Sequence, residues 1–210
     1  MTEISGPAAF AGGKLAVRRA QEADVGPLSK ALARAFFDDP VSMWSCRPDA
    51  LRPAVLESFF AIRLQQLLVD TEVWTTPELA SAALWAPPRR WHTSVRETLR
   101  LSRPLLHPRL VWRLPLITSG LGEMERRHPR NPPHWYLAVL GTDPAEQGRG
   151  LASAVLAPVL ERCDEDQVGA YLESSKERNI AFYTRHGFRV SGEVRFPRGP
   201  TVWPMWRDPR

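Results

Sequence analysis

The chain predicts a mixed α/β fold, and three features predict it. Short apolar runs of strand length alternate with stretches of helical period in the order β-α-α-β-β-(α)-β-α-β-α-β-β. A helix-length stretch separates the runs ending at Thr142 and Ser174. That implies a right-handed crossover and a parallel pair there, with the other neighbours mostly antiparallel. The first of those runs, 134–142, is apolar nearly throughout, as suits a strand covered on both faces. With 210 residues, 43% hydrophobic and 24% charged, the composition is that of one globular domain with a sizeable core. We assign 14–208 to that domain and expect residues 1–13, small and Gly/Pro-containing, to be disordered.

Residues 15–18 read as a short first strand, and Glu22 to Phe37 as a helix with Val25, Leu28, Leu32, Ala35 and Phe36 on one stripe. Asp38-Asp39-Pro40 ends it, because a residue before proline avoids the helical region. A second helix spans 49–69, with Asp49 as a cap and Pro53 in its first turn. Residues 72–76 and 79–86 are adjacent antiparallel strands. Helical pieces follow at 93–101 and 105–127, kinked or split by Pro104, Pro108 and Pro115. After 134–142 a helix reaches Glu165, with Pro158 predicting a kink. The remaining elements are a strand at 169–174, a helix at 177–186 stopped by Gly187, and strands at 188–194 and 201–207. Pro204 predicts an edge position or a bulge in the last strand.

The net charge of +5 is almost wholly arginine, scattered without a basic run or an RNA-binding aromatic signature. That favours a small anionic ligand over nucleic acid. Cys46 and Cys163 have no metal spacing and no neighbouring base, so they read as buried thiols, and we expect no metal. No apolar run approaches a membrane span and no signal pattern precedes the domain, so the expected location is cytoplasmic, without membrane contact.

The densest chemical signal is the stretch 137–152, an apolar strand followed by Asp143-Pro144 and Gln147-Gly148-Arg149-Gly150-Leu151-Ala152 at the start of a helix. A helix N-terminus exposes amides with partial positive charge, and glycines let a pyrophosphate approach them. On spacing alone a tight turn is an equal reading. The pattern is neither a Walker loop nor G-x-G-x-x-G.

Gln-x-x-Gly-x-Ala, however, resembles the acyl-CoA pyrophosphate loop of the GNAT superfamily of N-acetyltransferases. Residues 179–188, NIAFYTRHGF, resemble that family's Tyr-x-x-x-Gly-Phe segment. The block 134–210 is similar to the puromycin N-acetyltransferase-like members in particular, and 16–40 resembles their first strand and helix. Residues 41–133 match poorly, apart from 73–77. The resemblance implies about seven strands, a central parallel pair splayed at its carboxyl ends, helices on both faces, and acetyl-CoA as co-substrate in the gap. Its coenzyme contacts would be Leu140, Gly141 and Thr142 through the backbone, Gln147, Gly148, Arg149, Gly150, Leu151, Ala152 and Ser153 in the loop, and Asn179. Asn179 lies four residues before Tyr183, hence on the same helix face; many members instead carry asparagine at the position of Lys176.

The implied reaction is direct attack of a small-molecule amine, such as an antibiotic or amino-nucleoside, on an acetyl thioester. The amine must lose a proton, the carbonyl oxygen must be stabilised, and the leaving thiolate needs a proton or a hydrogen bond. A bulge at 140–142 would aim an unpaired donor into the gap. Tyr183 matches the family's acid. For the base the order is Glu173, then Asp39, then His134, the last being a strand-start residue of a kind usually found at the surface. Asp39 lies in the loop that borders the acceptor. Tyrosine at this place in the puromycin-type enzymes argues against puromycin itself. Phe36 and Trp44, with Phe37, Phe59 and Phe60, suit an apolar acceptor pocket. The protein is expected to be a monomer or homodimer. The alternative function is a CoA-binding sensor or partner-binding module without turnover, against which Tyr183 and the complete loop argue.

Overall fold

A computed structural model describes residues 15–47, 49–70 and 72–210; the segment 1–13 lies outside them. The helical elements are α1 (Val25–Ala35), α2 (Pro40–Ser45), α3 (Arg52–Asp70), α4 (Val95–Ser102), α5 (Leu114–Arg127), α6 (Leu151–Glu165) and α7 (Ile180–Arg185). The strands are β1 (Arg18–Arg19), β2 (Glu72–Thr75), β3 (Ser81–Ala86), β4 (His134–Thr142), β5 (Gly169–Ser174), β6 (Arg189–Val190), β7 (Val194–Arg195) and β8 (Thr201–Arg207). Among the described residues they form one sheet in the order β1-β2-β3-β4-β5-β8-β6, with β7 also on β8. Only β4 and β5 pair in parallel. This is the mixed GNAT fold, with eight strands rather than seven because 188–194 breaks into β6 and β7 around residues 191–193.

Each face of the sheet carries its own apolar layer. On one face α1 and α3 bring Leu28, Leu32, Phe60 and Leu64 against Ala82, Leu84 and Val139. On the other, α6 brings Val155, Leu156 and Val159 against Trp85, Trp135 and Leu137. A third cluster joins Trp44, Ile117, Val194, Phe196 and Val202 where α2 and α5 meet the β7–β8 hairpin.

Three local expectations change. Asp38-Asp39-Pro40 ends α1 but also starts α2: Asp39 caps it and Pro40 occupies its first turn, the favoured position of each. The prolines of 103–115 split the helical stretch: a 3-10 turn, Arg103–Leu105, follows α4 directly, and another, Val111–Arg113, leads directly into α5. Pro204 is not on an edge strand, since β8 lies between β5 and β6. Its carbonyl accepts from Ser191 N–H at 2.8 Å. Main-chain N and O of one residue share a side of an extended strand, so the missing N–H faces the interruption between β6 and β7. Pro158 lies inside α6, which continues past it.

Of the carboxylates near the end of α6, Asp164 fastens the C-terminus. Asp164 accepts from Arg207 Nη2 at 2.7 Å and from the Arg210 amide at 2.8 Å. Arg207 is 4% exposed and Asp164 30%. The Arg207 hydrogen bond holds the Asp164 carboxyl below its ordinary range despite desolvation. A carboxyl depressed in the fold stabilises above its unfolded pKa of about 3.9 and loses that contribution as pH falls through the folded value. Asp164→Ala is therefore expected to cost about 1–3 kcal/mol at pH 7, the penalty of a buried donor left unpaired. Thermal melts should show the gap from wild type narrowing below about pH 4.

Candidate functional site

The parallel ladder between β4 and β5 runs from His134↔Gly169 to Leu137↔Leu172 and stops. Beyond it β4 stays on β3 as far as Ser81↔Thr142. Residues 138–142 and 173–174 therefore diverge, and a gap opens between the carboxyl ends of the two strands. The cause lies in β4. Leu84 pairs with Val139 but Trp85 with Leu137, which leaves Ala138 as an extra residue. Such a bulge increases local twist, and it sits where pairing with β5 ends. The bulge expected at 140–142 thus falls earlier in the strand, since 140–142 is in register with 81–83. Asp143 N–H bonds the carbonyl of Ala80, the residue just before β3, at 2.8 Å. Alternation along the strand then turns the main-chain groups of Leu140 and Thr142 toward the gap. Gln147 Nε2 donates to the Thr142 carbonyl at 3.2 Å. At Gly141 an added Cβ would lie 2.7 Å from Leu32 Cδ2 and 3.0 Å from Phe36 Cε2, so the glycine lets the end of α1 press onto β4.

The turn after β4 is built for exposed amides. Asp143 accepts from Ala145 N–H at 3.2 Å and pairs with Arg34 of α1, which pins its start. Gly148 and Gly150 both have φ of +78°, the left-handed region that costs other residues. The first backbone bond of α6 is Ala154 N–H to the Gly150 carbonyl, 3.1 Å. The amides before it, through Leu151, Ala152 and Ser153, lie at the unpaired end of the helix. Leu151 is buried in the α6 layer, Ser153 Oγ is 3.0 Å from His186 Nε2, and Arg149 pairs with Glu146 at the surface.

Tyr183 belongs to the α6 face, packed edge-on to Phe182 and Phe188. Burial, and then the charge of Asp39, push its phenol well above the ordinary value. Asp39 is itself buried. Its Oδ1 accepts from the amides of Val41 at 2.9 Å and Ser42 at 3.1 Å, and its Oδ2 accepts from Ser175 Oγ. Burial raises the Asp39 pKa, and these donors pull it back. Asp38 takes Lys176 and Arg178. The loop after α1 is thus tied to the loop after β5 at the mouth of the gap. Asn179 closes the 3-10 turn Glu177–Asn179 and immediately precedes α7, so the helix expected over 177–186 is two elements.

Of the aromatic residues, Phe36, Phe60 and Phe59 form a contiguous series, 5.0 and 5.3 Å between ring centroids. Trp44 lies apart from them, on Phe196 in the third cluster. Phe37 is exposed beneath the Arg52 guanidinium.

Glu173 occupies the opposite face from Tyr183, with its side chain 5% exposed. It lies beside the hydroxyls of Tyr136 and Tyr171, which burial and its charge raise above their ordinary values. His128 Nδ1 is 3.3 Å from Glu173 Oε1, and His128 Nε2 is 3.0 Å from His134 Nε2. His134 Nδ1 is 2.9 Å from the Pro132 carbonyl. His134 is 1% exposed and so is no surface residue. It starts a strand covered on both faces, and alternation from the inward Tyr136 was the signal for its burial. His128 follows the end of α5 and had no such signal. The cysteine thiols are buried and raised, Cys163 to about 12, which suits neither for nucleophilic attack.

A mixed sheet that splays at a parallel pair, followed by a glycine turn and a helix N-terminus, is the arrangement of the GNAT fold. The Acetyltransferase (GNAT) family model matches residues 119–188, the stretch holding β4, the turn, α6, β5 and α7. An uncharacterised N-acetyltransferase of Schizosaccharomyces pombe is 25% identical over 202 residues, 91% of this chain and 81% of that protein. A structure from Corynebacterium glutamicum, described as histone acetyltransferase HPA2 and related acetyltransferase, has TM-score 0.66 and 25% identity over 92% of this chain and 96% of its own. Arylalkylamine N-acetyltransferase 2 from Aedes aegypti shares the fold at TM-score 0.57 and 13% identity, over 92% and 98% of the two chains. The chain shares the fold of these proteins and, over residues 119–188, resembles the GNAT acetyltransferase family in sequence. Among the described residues no helix is long and apolar enough to cross a membrane.

Proposed function

We propose that the protein transfers an acetyl group from acetyl-CoA to a primary amine of a small molecule, an antibiotic or amino-nucleoside being the class its puromycin-type resemblance favours. The observation that carries this reading is the gap beyond Leu137 and Leu172, with Tyr183 on one face of the sheet and Glu173 on the other. Amides at 148–153 suit a diphosphate, and bound acetyl-CoA would supply the activated acyl group. Main-chain N–H of Leu140 faces the place where a carbonyl oxygen gains charge. Glu173 takes a proton from the attacking nitrogen, because an alkylammonium of pKa near ~10.4 is unreactive at pH 7. Phe36 and Phe59, half-buried and packed on the buried Phe60, offer the acceptor an apolar surface.

Tyr183 acts at the leaving sulfur. Its phenol is a weaker acid than a thiol of pKa about 8.5, so it stabilises the thiolate as a hydrogen-bond donor before any full transfer. Tyr183→Phe is expected to lower kcat about 10²-fold with acetyl-CoA affinity unchanged. Thiol release with a panel of primary amines, and calorimetric titration with acetyl-CoA, measure the two. Equal loss of both overturns this role. Acetyl-CoA binding without thiol release across the panel favours the sensor instead.

A further inference from the structure

The line of groups behind Glu173 has a proton count that its geometry restricts. This deepens the acetyl-transfer reading and rests on it for its role in turnover. The Pro132 carbonyl can only accept, so His134 carries a proton on Nδ1. Neutral His134 then presents the Nε2 lone pair, and the 3.0 Å contact is satisfied when His128 Nε2–H donates into it. That leaves His128 Nδ1 facing the Glu173 carboxylate at 3.3 Å. Without a further proton, a lone pair faces an anion in a buried site. With one proton between them the contact becomes attractive, whether written as imidazolium and carboxylate or as imidazole and carboxylic acid.

We propose that His128 and Glu173 hold one proton in common, with His134 fixing the imidazole that shares it, so that the proton acceptor of the reaction is this array rather than Glu173 alone. His128 and His134 are positioning residues; Glu173 meets the amine. The surroundings hold the array rigid. Trp91 stacks on His128 at 3.7 Å between centroids, and Tyr136 and Tyr171 meet it edge-on at 4.8 and 4.6 Å. Trp206 of β8 lies edge-on to His134 at 5.2 Å. The other titratable groups nearby are Arg63 of α3, whose charge reaches Tyr136, and His92, which stacks on Trp91 and lies 3.6 Å from Glu125 of α5.

The proton balance closes. An alkylammonium has three N–H bonds. As the N–C bond forms and the C–S bond breaks, one proton stays on the amide, one goes to sulfur, and one becomes the proton shared by His128 Nδ1 and Glu173, a place that is empty at the moment of attack. A pocket of about 470 Å³ lined by Asn131, Pro132, Tyr171 and Trp206 borders the residues packed around the array.

The test is nitrogen NMR of the full chain labelled with ¹⁵N-histidine, titrated from pH 5 to 9 as wild type and as Glu173→Gln. His134 is expected neutral with the proton on Nδ1 throughout. His128 is expected to show a protonated Nδ1 signal in wild type that is lost in Glu173→Gln, whose amide can donate to a bare Nδ1. An unchanged His128 Nδ1 signal, or His134 protonated on Nε2, overturns the array. Should Glu173→Gln fail to fold, the wild-type tautomer of His134 still decides. For the role in turnover, His128→Gln should move the acid limb of kcat/KM for thiol release down by about one pH unit or more. A uniform fall at every pH would reduce His128 to packing and overturn it. If no amine releases thiol, the acetyl-transfer reading falls while the spectra still judge the array.

Discussion

Glu173→Gln is expected to lower kcat/KM for acetyl transfer by about 10²- to 10⁴-fold, the range of a lost general base. The substitution preserves shape. The amide still fits among Tyr136, Tyr171 and His128, but it cannot take a proton from an ammonium. Glu173 lies on the opposite face from the α6 layer, away from the turn assigned to the diphosphate, so acetyl-CoA affinity should stay nearly constant. Thiol release across pH 6–9 and calorimetric titration separate the two effects. A variant that kept full turnover, or one whose coenzyme affinity fell in step with turnover, would remove Glu173 from the base position.

The second large effect concerns the turn before α6. Gly148 and Gly150 share φ of +78°; a Cβ at Gly148 meets nothing within 4 Å, and one at Gly150 only Leu15 Cδ1 at 3.6 Å. Alanine there has room, so any loss is conformational. Holding an L-residue in the left-handed region costs about 1–2 kcal/mol. The double variant Gly148→Ala/Gly150→Ala should relax away from this shape when empty and must regain it to aim its amides. Acetyl-CoA affinity should therefore fall at least about 30-fold, the equivalent of roughly 2 kcal/mol. The melting temperature should change little, because the loop is at the surface. Arg149→Ala should do far less, since Arg149 is already paired with Glu146 among exposed groups. Affinity unchanged in the double variant would separate the turn from the coenzyme.

These two predictions differ in how their residues were found. The turn was readable because its determinants are local: strand, Asp-Pro, two glycines and a helical period follow one another, and glycine is the residue that tolerates positive φ. Tyr183 was readable through its spacing to Gly187 and Phe188. Asp39-Pro40 shows local chemistry misread, since the pair that stops one helix is also the favoured start of the next. Trp44 shows the limit of composition. An aromatic residue near Phe36 in sequence packs instead with Phe196, across the chain.

Within single elements, then, the order of residues was sufficient for the strands and helices, the parallel crossover at β4 and β5, and the glycine turn, because periodicity and backbone preference act over a few neighbours. Tertiary structure alone decided where the ladder ends at Leu137 and Leu172, that Ala138 is the extra residue, and that His128, His134 and Glu173 meet. Register between strands, and the burial that fixes proton counts, arise from contacts between residues distant in the chain, which no local pattern encodes.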